Sequence, residues 1–171
     1  MVVALQYGKS YFIVPQCAQN MSVGTVGTQD DGNSIVGLRP ISDRSSSQRW
    51  HLDPDNGVAG PYQFDSDDGA TLWFVPPIIG GTTTGPDPDY NAPVSLGPIL
   101  DTPPELWSYS GRQWNVIPGA NPNFFAIQNC WNTAKNLNVA GDGPYPAGTS
   151  IMVWDWGGGA PNELWTFIEF D

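Results

Sequence analysis

A tryptophan preceded two residues earlier by Gln or Glu occurs three times in this 171-residue chain, as Gln48-Arg49-Trp50, Glu105-Leu106-Trp107 and Glu163-Leu164-Trp165. The tryptophans lie 57 and 58 residues apart, and 57 is one third of the chain. A large aromatic that returns at that interval points to three copies of one supersecondary unit packed around a shared core, a constraint that outranks any local secondary-structure preference. The expectation is therefore one domain over residues 1–171, with repeats of approximately 1–60, 61–122 and 123–171.

The 20 Gly and 17 Pro break the chain every few residues, which fits short strands joined by turns and not long helices. About twelve segments have the β-branched and aromatic content of strands between turn clusters, four to each repeat. In the first repeat they are Ser10–Val14, Met21–Thr25, Ser34–Arg39 and Gln48–Leu52. In the third they are Asn123–Gln128, Asn136–Ala140, Ser150–Trp154 and Glu163–Ile168.

Repeat two admits two registers. Leu38-Arg39-Pro40-Ile41-Ser42-Asp43 matches Leu96-Gly97-Pro98-Ile99-Leu100-Asp101 at four of six positions. Beyond it, Trp50 precedes Tyr62 by twelve residues and Trp114 precedes Phe124 by ten, whereas Trp107 precedes Phe124 by 17. Trp114 is thus favoured over Trp107 as the equivalent of Trp50, with Pro103–Gly111 as an insertion. The longest connection, Pro76–Pro93, is a further excursion of the kind that contacts partners or simply covers surface.

Charge and residue chemistry exclude several functions. With 17 acids against 6 bases, the formal charge of −11 opposes nucleic acid and anionic membranes. No run approaches the roughly 20 apolar residues that span a bilayer, so membrane insertion is not expected. Cys17 and Cys130 are too few for a disulfide scaffold and read as small hydrophobes. No signal segment is legible, so the expected location is cytoplasmic, with a non-classical route for any release. The lone histidine, His51, reads as a solvent-facing strand residue, which leaves no Ser-His-Asp catalysis and no zinc ligand set. Asp65-Ser66-Asp67-Asp68-Gly69 lacks the ligand alternation of a calcium loop and reads as a tight turn. No catalytic residues, metal or cofactor are expected.

Three repeats of four strands, each ending in a Gln/Glu-x-Trp-like strand, resemble the ricin-B-type β-trefoil lectin family, with the acidic chain closest in character to its fungal members. The resemblance is most specific from Trp154-Asp155-Trp156 to Asn162-Glu163-Leu164-Trp165. It implies an all-β fold, a β-trefoil of three four-stranded repeats with pseudo-three-fold symmetry, in which a six-stranded barrel is capped by three hairpins. It also implies a non-enzymatic protein with shallow sugar pockets, one available per repeat, for neutral glycans of the galactose or N-acetylgalactosamine type.

A pyranose presents an apolar C–H face and a rim of hydroxyls, so its site needs an aromatic platform and fixed polar groups. In the family an Asp within a Leu-Asp-Val-like strand holds two hydroxyls, an aromatic eleven or twelve residues before the core Trp stacks on the ring, and an Asn three before that Trp completes the set. Repeat three offers Asn138 in place of the Asp, Trp154 and Asn162. Asp142 and Asp155 are acids that can substitute for the missing carboxylate, Tyr145 can add apolar contact, and Trp156 is the alternative platform because it shares a strand face with Trp154. Trp154 can instead be a core residue, since the same comparison places Leu38 and Leu96 at its position. Repeat one then presents Ser22, Leu38 and Ser47, and repeat two presents Trp73, Leu96 and either Pro104 or Gly111. With one binding repeat, avidity would come from self-association, for instance as a homodimer. Two other roles fit such a scaffold: a protease inhibitor acting through Pro76–Pro93 or Pro103–Gly111, and an interaction subunit that binds no sugar.

Overall fold

The computed structural model describes residues 5–6, 8–28, 34–54, 61–73, 91–98 and 111–170, of which 53, 54, 73, 92 and 95–98 are described by their backbone. Trp107, Pro104 and most of the two excursions lie outside the described residues.

Strands dominate: β1 (Ser10–Pro15), β2 (Met21–Thr28), β3 (Ser34–Pro40), β4 (Trp50–Pro54), β5 (Tyr62–Ser66), β6 (Ala70–Trp73), β7 (Ala92–Pro93), β8 (Ser95–Pro98), β9 (Trp114–Pro118), β10 (Phe125–Asn129), β11 (Lys135–Val139), β12 (Ile151–Asp155) and β13 (Leu164–Glu169). Six of them close into a ring through antiparallel pairs β1–β4, β4–β5, β5–β9, β9–β10, β10–β13 and β13–β1. Within the ring itself, closure pairs every strand on both sides. The other strands pair as the hairpins β2–β3, β6–β8 and β11–β12, with β7 added to the far side of β12. The chain thus runs barrel strand, hairpin, barrel strand three times over.

Trp50, Trp114 and Trp165 are fully buried. Each indole N–H donates to a backbone carbonyl on the first hairpin strand of its own unit: Trp50 to Val23 (3.0 Å), Trp114 to Leu72 (3.3 Å) and Trp165 to Leu137 (3.0 Å). A buried indole must satisfy its N–H, and here that requirement ties barrel to cap. Trp114 is therefore the middle member of the set. Arg112, itself buried, stands two residues before it where Gln48 and Glu163 stand in the other repeats, so this copy lacks the Gln/Glu-x-Trp pattern.

In repeats one and three the strands start within two residues and end within three of the expected positions. Gln48 and Glu163 precede their strands because their side chains hold the incoming loop. Gln48 ends a 3-10 turn over Ser46–Gln48, accepts from the Ser45 amide (3.0 Å), and donates to Ser22 Oγ (2.7 Å) and the Pro40 carbonyl (2.9 Å). The 65–69 segment is the tight turn expected: Gly69 N–H donates to the Ser66 carbonyl (3.0 Å) with φ of 82°. At the centre, Phe167 meets Tyr11 edge-on (6.2 Å between centroids), Phe125 edge-on (5.8 Å) and Phe64 stacked (6.3 Å). Cys17 packs against this core as a small hydrophobe, and burial pushes its thiol up to about 11.

Candidate functional site

The shared Trp-to-carbonyl bond sets the register between repeats. Val23, Leu72 and Leu137 are equivalent, and their hairpin partners are Leu38, Leu96 and Val153. Leu38 and Leu96 therefore correspond to Val153, not to Trp154, whose counterparts are Arg39 and Gly97. The same register places Gly24 and Trp73, and not Ser22, opposite Asn138; Ser22 corresponds to Asn136. A slip of one residue reverses the face of every side chain in a strand. Leu38 and Val153 are fully buried, whereas Trp154 points outward and is 47% exposed. Trp154 is thus a surface aromatic and not a core residue.

Around Trp154 lies a cleft of about 480 Å³ lined by Asn138, Asp142, Trp154, Asp155, Trp156 and Asn162, with Met152, Gly157, Glu163 and residues 139–141. Six of the seven residues singled out in the sequence converge there. Met152, Trp154 and Trp156 share the outward face, while the alternate residues Ile151 and Val153 enter the core.

At the floor, Asn162 Nδ2 donates to Asn138 Oδ1 (2.7 Å) and to the Val139 carbonyl (3.3 Å), while the Val139 amide donates to the Asn162 carbonyl (2.9 Å). Asn138 Nδ2 in turn donates to Glu163 Oε1 (3.4 Å). Asn138 is nearly buried, so this chain of amides holds it in one orientation. An amide here gives the cleft both a donor and an acceptor, where a carboxylate would give acceptors alone.

Asp155 stands at the rim. Its Oδ1 accepts from Lys135 Nζ (2.7 Å) and its Oδ2 from Asn91 Nδ2 (3.3 Å), and Lys135 also donates to Asn91 Oδ1 (2.8 Å). The Lys135 bond, then the Asn91 bond, hold the Asp155 carboxyl below its ordinary value. Asn91 leads into β7, so the end of the long repeat-two connection is pinned against the repeat-three cleft, a contact that sequence spacing did not indicate. Tyr145 stands apart from the cleft: its hydroxyl donates to the Gly141 carbonyl (3.2 Å) and its ring covers Gly143, bracing the turn that carries Asp142. Burial, then the neighbouring Cys17 and Asp142, raise its phenol above the ordinary value.

Repeat one has a cavity at the corresponding place, about 710 Å³, with different chemistry. Arg39 replaces the tryptophan and lies across Gly24, where a Cβ would come 3.2 Å from Arg39 Cδ. Its guanidinium is committed to Asp43 Oδ2 (3.1 Å) and the Thr25 carbonyl (3.1 Å). The stacking platform is absent there. Elsewhere, His51 is half-exposed, with Nε2 against Asp67 and Nδ1 3.3 Å from Ser10 Oγ. The three residue types of a hydrolytic triad do meet, but neither Ser10 nor His51 lines either cleft.

No protein-family model and no curated protein sequence matches the chain. Solved structures do. The ricin B-like lectin of Macrolepiota procera, determined in complex with lactose, aligns with a TM-score of 0.66 at 21% identity over 95% of this chain and 96% of its own. The fold is a β-trefoil. The Rhizoctonia solani agglutinin aligns at 0.68 and 14% identity, over 98% of this chain and 99% of its own. A mosquitocidal holotoxin aligns at 0.66 and 18% identity over 94% of this chain, which spans 16% of the toxin. At such identities the likeness carries architecture alone, and function must be argued from the cleft.

Proposed function

We propose that this protein is a non-catalytic lectin of the ricin-B-like kind that binds a neutral glycan of the galactose or N-acetylgalactosamine type in its third-repeat cleft. The observation that carries this reading is Trp154, a half-exposed indole beside the fixed Asn138–Asn162 amide pair. The indole face suits the C–H face of a pyranose, and the amides suit hydroxyls that both donate and accept. Among the described residues Asp142 and Asp155 line the cleft and no Lys or Arg does, which favours a neutral ligand over an anionic one. Asp155 is committed to Lys135 and Asn91, and Glu163 to backbone amides, so neither is poised to transfer protons. That the lectin of Macrolepiota procera was solved with lactose supports the choice of sugar class. The test is a glycan array followed by lactose titration of wild type, Trp154→Ala and Asn162→Ala. Binding to galactosides that both variants lose supports the assignment, and unchanged affinity in folded variants refutes it. Preference for 3′-sialyllactose over lactose would overturn the neutral-ligand reading.

A further inference from the structure

Glu163 occupies the position of Gln48 in repeat one, yet it is a carboxylate and nearly buried. An isolated buried charge is costly unless hydrogen-bonded on all sides. Here the segment after β12 wraps around it. Gly157 N–H donates to Oε1 (2.7 Å), and Gly159 N–H (3.0 Å) and Ala160 N–H (3.2 Å) donate to Oε2. Gly158 and Gly159 have φ of 96° and 94°, and a Cβ on Gly157 would come 2.6 Å from Oε1. Three amides of one short segment converging on one anion, with Gly158 and Gly159 supplying the left-handed backbone, form an anion-binding nest whose anion is the protein's own side chain. The Trp156 ring rests over this turn, with Cη2 3.5 Å from where a Gly159 Cβ would stand. The same Oε1 that receives Gly157 also receives Asn138 Nδ2.

We propose that the Glu163 carboxylate is the positioning residue of the cleft, setting Trp156 through the 157–160 nest and Asn138 through its side-chain amide, a role that the Gln of the equivalent position cannot fill. This rests on the lectin reading for its effect on affinity, but not for its effect on geometry. A glutamine keeps one acceptor oxygen and substitutes a donor NH₂ for the other, so at least one nest amide would face a donor.

The decisive experiment compares wild type with Glu163→Gln by amide and indole NMR and by lactose titration. The variant is expected to stay folded, because Gln serves at position 48. Of the Gly157, Gly159 and Ala160 amides, those that face the new NH₂ should lose their hydrogen-bonded shifts and exchange protection, and the Trp156 indole and Asn138 side-chain resonances should move. Lactose affinity should fall about tenfold, with a smaller additional loss when the substitution is made in a Trp156→Ala background, as expected for coupled groups. Unmoved Trp156 and Asn138 resonances would overturn the proposal, as would a loss of stability with unchanged affinity. Wild-type protein that binds no lactose would count against the galactoside reading, and the resonances would still decide this inference.

Discussion

Trp154 and Trp165, eleven residues apart, show how one residue type serves two ends. Trp165 is buried with its indole N–H bonded to Leu137, so Trp165→Ala is expected to cost about 3–5 kcal/mol in a urea-unfolding measurement, as large core truncations do. Trp154 is half-exposed, so Trp154→Ala should change stability by no more than about 0.5 kcal/mol and act on binding alone. Asp155 gives a pH prediction. Its carboxyl is depressed by Lys135 and Asn91, so the contact stabilises the fold above the ordinary carboxylate value and is lost as pH falls through the lower, folded value. In a carboxyl-carbon NMR titration, Lys135→Met should move the Asp155 midpoint upward; an unchanged midpoint would show that Lys135 does not hold it. Trp165 was legible as core from the Gln/Glu-x-Trp recurrence, but whether Trp154 was platform or core was not, because exposure depends on a register that one-residue errors reverse.

At the scale of elements, the hairpins decide where sites form. β3 and the segment before β12 approach closely: Leu38 N–H donates to the Thr149 carbonyl (2.9 Å), Gly148 N–H donates to Leu38 (2.8 Å), and a Cβ on Gly37 would meet Val26 Cγ2 at 2.8 Å and the Thr149 oxygen at 3.0 Å. Gly37→Ala is therefore expected to destabilise by about 1–3 kcal/mol through overpacking against backbone, read from the urea midpoint. Strand positions were readable in repeats one and three, where the turn residues and the Gln/Glu-x-Trp end agree. Repeat two was harder to read because Arg112 takes the place of that Gln or Glu and an insertion precedes it. The pinning of Asn91 to Lys135 and Asp155 was illegible for another reason: it joins positions 44 and 64 residues apart, and no local pattern encodes such a contact. Glu163 was visible only as part of a motif. Its role as the anion of a backbone nest required the positive φ angles of the glycines that follow Trp156.

Across the whole molecule, near-equivalent units carry unequal chemistry. Each unit supplies two strands of the six-stranded ring and one indole-to-carbonyl bond, since a shared core tolerates little variation. The hairpin surfaces are free to diverge: Arg39 covers the repeat-one position, Gly97 stands at that of repeat two, and Trp154 alone of the three is aromatic. The central proposal is that a neutral galactoside binds mainly at this third position. Isothermal titration of the intact protein with lactose tests it most directly. One site per chain, abolished in a folded Trp154→Ala variant and unaffected by Arg39→Ala, is the predicted result; no heat of binding, or a stoichiometry that survives loss of Trp154, would contradict it.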